Sequence, residues 1–171
     1  MSNPIIERSF RHMGWANSQM LRIVSGLPDE AINFSAWNPD WTVGKIAHHI
    51  VLSEGRLISR INEQPVGQEP QSPTTAQDIR ELISICKQRD DQLLLLTNTP
   101  DEIRTFNRNG NEASFLTSTI LAQAINHATE HRAQISDILA ANKMDVLNLD
   151  EIDLWSFENW EKSQLANPGG R

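Results

Sequence analysis

Cysteine occurs once in the 171 residues, at Cys86, which excludes an internal disulfide framework and any site built from several thiolates within the chain. A metal ion bound here must use nitrogen and oxygen ligands. Long apolar runs are missing too: none approaches the ~18 residues that would span a bilayer, so no membrane role is expected. Basic residues are outnumbered, 15 Lys and Arg against 22 Asp and Glu, giving a formal charge of -7 and a pI near 5.2. With no run of lysine and arginine to offset that balance, attraction to nucleic acid phosphates is disfavoured. The start, Met1-Ser2-Asn3-Pro4, lacks the basic segment and apolar stretch of a secretory signal, and the expected location is the cytoplasm.

What is present fits one domain over residues 1–171, with 39% hydrophobic residues to build a single core. Gly and Pro fall in clusters, and the gaps between them are long, periodic and rich in Leu, Ile, Ala, Glu and Gln, which is helix punctuation. The first helix is expected over 4–25, with Asn3 as N-cap, Pro4 in the first turn, and a stripe of Ile6, Phe10, Met13, Met20, Leu21 and Val24. The second is expected over 42–63, with Val43, Ile46, Ile50, Leu57 and Ile61 at helical spacing. After a Pro-rich loop over 64–74, a third begins at Thr75, whose hydroxyl and Asp78 make a capping-box pattern, and ends before Pro100. Residues 101–113, containing Asn109-Gly110, read as an irregular or hairpin-like connection. A fourth helix is expected over 114–142 with the stripe Leu116, Ile120, Ala124, Ile135 and Ile138. The tail over 150–165 reads as a short helix packing Leu154, Trp155, Phe157 and Trp160 on the rest, with 166–171 frayed. The fold class is therefore all-α, a four-helix bundle with long connections plus a short C-terminal helix.

The five histidines carry the most chemistry. His127 and His131 are four apart, so they stack on one helix face, and they fall on the stripe where that helix should present aliphatic residues. Two imidazoles there need partners. Each can bond to a neighbouring backbone group, or the pair can chelate an ion if a third ligand faces it. His48 and His49 on the second helix are the candidates, and helical phase selects His49, which lies at the edge of the apolar stripe while His48 points nearly away. His12 and His48 are expected to be half-exposed polar residues. Glu54 falls near the same buried stripe, where a carboxylate must pair with a base such as Arg132 or approach the metal. Cys86, among Leu82, Ile83 and Ile85, reads as a small buried hydrophobe. Trp37 and Trp41 bracket a Pro-containing turn before the second helix, and either anchor it or wall a pocket.

Three segments carry a resemblance. Trp15-Ala16-Asn17-Ser18-Gln19-Met20-Leu21 is similar to a W-A-N-x-x-L-L pattern. His49 is followed five residues later by Glu54, as in a second-helix histidine-to-acid spacing, and His127-Ala128-Thr129-Glu130-His131-Arg132-Ala133-Gln134-Ile135 resembles H-x-x-x-H-R-G-Q-I. These patterns belong to the DinB-like superfamily, the damage-inducible-protein and bacillithiol-transferase-like four-helix bundles. Ala133 stands where the family usually has Gly, a small-for-small change. The resemblance implies a divalent metal on His49, His127 and His131, zinc or nickel by ligand type, a low-molecular-weight thiol as cosubstrate in several relatives, and a homodimer.

Three neutral imidazoles leave an ion its full charge and at least one open position, the layout of a catalytic site. The expected function is a metal-dependent enzyme acting on a small molecule, a thiol S-transferase or hydrolase, with Glu54 and Arg132 orienting ligands or substrate. The competing expectation is a non-catalytic module in which the ion staples two helices or senses a small ligand.

Overall fold

Asn3 opens the first helix as its side chain accepts the Ile5 N–H at 3.0 Å, and α1 runs Pro4–Val24. The computed structural model describes residues 3–166. A short α2, Asp29–Ile32, lies in the following connection. Thr42 then accepts the Lys45 N–H to start α3, Val43–Asn62. The expected capping box is formed: Thr75 Oγ1 accepts the Asp78 N–H at 3.2 Å while Asp78 accepts the Thr75 N–H at 2.9 Å, starting α4, Ala76–Leu96. Such caps are each worth about 1 kcal/mol to a helix.

The connection over 101–113 is a β-hairpin, with β1 Ile103–Arg108 pairing antiparallel to β2 Asn111–Leu116. Arg108 faces Asn111, leaving Asn109 and Gly110 as a two-residue loop with φ of 55° and 85°. That conformation matches the strand twist and favours an Asn-Gly pair. The hairpin takes three residues from the expected fourth helix: α5 runs Thr117–Ala141, because residues 114–116 are spent on pairing with β1. Leu116 is accordingly an exposed strand residue instead of part of the helical stripe. Asp101, before the hairpin, caps α5 by accepting from the Ser118 N–H at 2.8 Å, so helix start and hairpin base are tied together.

A 3-10 turn, Leu149–Ile152, leads into α6, Leu154–Ala166. Of the four residues expected to pack from this tail, Phe157 is fully buried, against Trp15 and His12, whereas Trp155 is 78% exposed and Leu154 and Trp160 are also open. Arg8 and Arg11 hold Glu161 from α1, so α6 is secured by one buried aromatic anchor and two ion pairs. Ala166 ends α6, and the rest of the fraying expected over 166–171 lies outside the described residues.

α1 packs on α4 and α5, and α3 packs on the same two, so α1 and α3, the first two long helices in the chain, stand across the diagonal of the bundle. The long 25–42 connection permits this departure from simple up-down order. Gly44, in the first turn of α3, marks a tight approach to it: a Cβ there would lie 2.5 Å from Ile32 Cγ2. The core is continuous, from Met13, Met20 and Leu21 through Ile46, Ile50, Ile79 and Leu82 to Ile135 and Ile138. Among the described residues no helix is long and apolar enough to cross a membrane.

Candidate metal centre

α3 and α5 lie side by side, and the histidines of both helices converge. His127 Nε2 lies 3.0 Å from His49 Nε2 and 3.0 Å from His131 Nε2. A neutral imidazole carries one N–H, so His127 Nε2 can donate to one neighbour at most. The other contact then sets two nitrogens against each other with no proton to share, unless a cation lies among them.

The orientation of His131 is fixed from behind. The indole Nε1 of Trp41, which only donates, is 3.1 Å from the side-chain oxygen of Gln134, and His131 Nδ1 is 2.7 Å from that same oxygen. Nδ1 must therefore carry the proton, leaving the Nε2 lone pair to face His127. Trp41 is placed for this by a turn in which Asn38 Oδ1 accepts the Asp40 N–H and Asn38 O accepts the Trp41 N–H. Its ring meets both His49 and His131 edge-on, with centroids 5.2 and 5.7 Å away. Trp37 is exposed.

Burial favours the neutral form of His49 and His127. Desolvation, then the proximity of His131 and His49, lowers His127 to about 4, and desolvation also lowers His49. Neutral imidazoles with convergent lone pairs are the state that ligates a divalent ion, so the donor set and its protonation fit such an ion. His48 turns outward, its Nε2 2.8 Å from Pro70 O, and His12 is half-buried against Ile152 O. Neither contributes to the cluster. His49 and His127 open onto a cavity of about 330 Å³ bounded by α3, α5 and the hairpin.

Glu54 and Arg132 do not hydrogen-bond to the histidines. They belong to a second buried cluster, one that every long helix enters. Asn17 of α1 donates from Nδ2 to Glu54 Oε1 at 2.9 Å and to Asp90 Oδ1 at 3.2 Å, and its Oδ1 accepts from Arg132 Nη1 at 2.6 Å. Cys86 donates its thiol to Asp90 at 3.4 Å. Burial raises Glu54 well above the carboxylate range, with Asp90's charge adding to it, and raises Asp90 to about 6. The pair is therefore biased toward holding a proton. Arg132, which burial lowers only to about 10, stays charged beside the two carboxyls. Donor atoms of Glu54, Cys86 and Asp90 lie within 4.8 Å of one another, a spacing a cation could bridge. Their hydrogen bonds are made internally, however, and Arg132 already supplies the positive charge. Burial also raises the Cys86 thiol, in keeping with an inert core residue.

Comparison with known proteins bears on α1 to α5 and the hairpin. The model of the DinB family matches residues 1–141. The chain belongs to the DinB family. The match takes in α1 to α5, hence both histidine helices and all members of the buried polar cluster, and leaves out α6. A crystal structure of a DinB-like protein from Bacillus cereus ATCC 10987 is 21% identical, over 84% of this chain and 94% of that one, with a TM-score of 0.64. At that identity the likeness shows a shared fold. A search of the curated proteins finds no match.

In this DinB-family chain, sequence reasoning missed the second sphere of the site. Gln134 stood in the H-x-x-x-H-R-x-Q segment, three residues after His131 and so on the same helical face, a signal that it could reach the imidazole. Nothing in the sequence linked Trp41 to Gln134.

Proposed function

We propose that this protein is a metal-dependent enzyme of the thiol S-transferase or hydrolase type, holding a divalent ion on Nε2 of His49, His127 and His131. The observation that carries the reading is the convergence of three imidazoles at the mouth of a cavity, with His131 locked by Gln134 so that its free lone pair faces inward. A divalent ion held on nitrogen alone supplies Lewis acidity that makes a small thiol or a water nucleophilic near neutral pH.

The chain's own contribution is arrangement. Trp41 and Gln134 close the rear of His131, so small molecules approach from the side of His49 and His127. Cys86 is buried away from that cavity, so the nucleophile is drawn from solution. Zinc and nickel both suit imidazole donors.

The bridge between α3 and α5 is also what a structural staple would use, and chelation separates the two readings. Elemental analysis of protein purified without a metal-affinity column should find one ion per chain, lost in His49→Ala, His127→Ala and His131→Ala. Metal retained at full stoichiometry in all three variants overturns the site. The metal-loaded protein should conjugate an electrophile in the presence of a small thiol, or hydrolyse an activated ester or amide. Inactivity in both assays, together with a large fall in Tm on chelation, would assign the ion a structural role.

A further inference from the structure

The cavity beside the histidines carries a charge opposite to that of the molecule as a whole. In a chain of net charge -7, its lining includes Arg56 and Arg60 from α3 and Arg108 from β1. Arg56 is neutralised by two hydrogen bonds to Glu69, at 2.9 and 3.2 Å. Arg60 and Arg108 have no such partner: among the described residues no carboxylate forms an ion pair with either. The Arg60 guanidinium instead lies 4.5 Å over the ring of Phe106. Partial burial, then the charges of Arg108 and Arg56, lowers its pKa, so the three cations sit close enough to repel.

Like-charged guanidinium groups gathered without a carboxylate repel one another, a cost that an anion would offset, and their planar forks match carboxylate and phosphate oxygens. Leu57 and Ile120 on the helices and Phe106 and Phe115 on the hairpin add apolar surface, beside polar side chains such as Thr119 and Gln123. A volume of about 330 Å³ suits a small organic molecule.

We propose that this cavity binds a substrate bearing a carboxylate or phosphate on an apolar body, the anionic group held by Arg60 and Arg108 and the reacting end presented at His49 and His127. The second half of that statement rests on the metal-centre reading above; the first half does not. The hairpin supplies Arg108 and both phenylalanines, so it is the specificity-determining element of the site.

Three probes of one shape test the inference: 2-naphthoate, 2-naphthyl phosphate and the neutral 2-naphthamide, titrated calorimetrically into the full chain. Chelator-stripped protein is used first, so that direct carboxylate coordination of an ion cannot mimic the arginines. At least one anion should bind about tenfold or more tightly than the amide, and that advantage should fall by about tenfold in Arg60→Gln and in Arg108→Gln while amide affinity stays constant. Whichever anion wins identifies the group as carboxylate or phosphate. Arg108 is exposed at the end of a strand, so its variant tests the idea even if Arg60→Gln disturbs the stack on Phe106. Equal affinity for anions and amide, or an anion preference unchanged in Arg108→Gln, overturns the proposal. Anion binding that persists in His127→Ala, with metal content lost, would show the pocket and the ion to be separable. Metal retained in the histidine variants would sink only the metal-centre reading.

Discussion

His131 Nδ1 lies 2.7 Å from the side-chain oxygen of Gln134, and this single hydrogen bond determines which nitrogen of the ring is free to ligate. Partners of this kind, behind a ligating histidine, typically account for about 10–100-fold in metal affinity.

Gln134→Leu keeps the volume of the side chain and removes the acceptor. We expect metal affinity, measured by competition with a chromophoric chelator, to fall by about 10–100-fold. Far-UV circular dichroism should be unchanged. An affinity equal to wild type would show that packing of Trp41 alone, 5.7 Å from the His131 ring, orients the imidazole.

Asp90 gives a pH signature. Its folded pKa is raised from 3.8 to about 6, first by burial, so the folded state holds a proton that the unfolded chain releases. The stability from that proton is fully present below about pH 3.8 and is lost as pH rises through about 6. At about 1.4 kcal/mol per pKa unit the loss is about 3 kcal/mol. His12, His49 and His127 have lowered values and act with the opposite sign, so the readout is wild type minus Asp90→Asn in metal-free urea titrations. The variant should lose less stability between pH ~4 and ~7.5 than wild type does, by up to about 3 kcal/mol. Parallel pH profiles would mean that Asp90 titrates alike in the folded and unfolded chain.

Gly44 is held by sterics. A Cβ would meet Ile32 Cγ2 at 2.5 Å and the carbonyl oxygens of Ile32 and Pro73 at 3.2 and 3.3 Å, two of which are backbone atoms with little room to move. Alanine in a helix interior is otherwise favoured over glycine by about 1 kcal/mol. The clash outweighs that gain, and Gly44→Ala should lower unfolding free energy by about 1–2 kcal/mol in urea. A stabilised variant would show that α2 shifts without cost.

Legibility in the sequence divides along physical lines. Periodicity reports which face of a helix is buried, so the four long helices and the choice of His49 over His48 could be read from apolar spacing, and the structure brings His49 to His127 as that choice requires. Periodicity does not report which neighbour a buried polar group meets. Glu54 was legible as a buried carboxylate in need of a partner, yet its contacts, Asn17, Cys86 and Asp90, lie on two helices far away in the chain. Arg132 was anticipated as a base for it and joins the same cluster, through Asn17. The start of α5 was placed at 114 because Leu116 and Ile120 have helical spacing, and strand pairing with Ile103 overrides that signal locally. Arg60 and Arg108 are 48 positions apart and belong to different elements, so only the fold makes them neighbours.

The circuit formed by Asn17, Glu54, Asp90 and Arg132 draws one residue from each long helix. Sliding any helix by one residue turns its polar member about 100° aside, breaking the circuit and stranding a desolvated charge. Interchangeable leucines and isoleucines in the surrounding core would tolerate such a slip far better. Buried charges of this kind add little net stability. What this circuit contributes is alignment, admitting a single vertical setting of the four helices and thereby fixing the height at which α3 delivers His49 to the pair on α5.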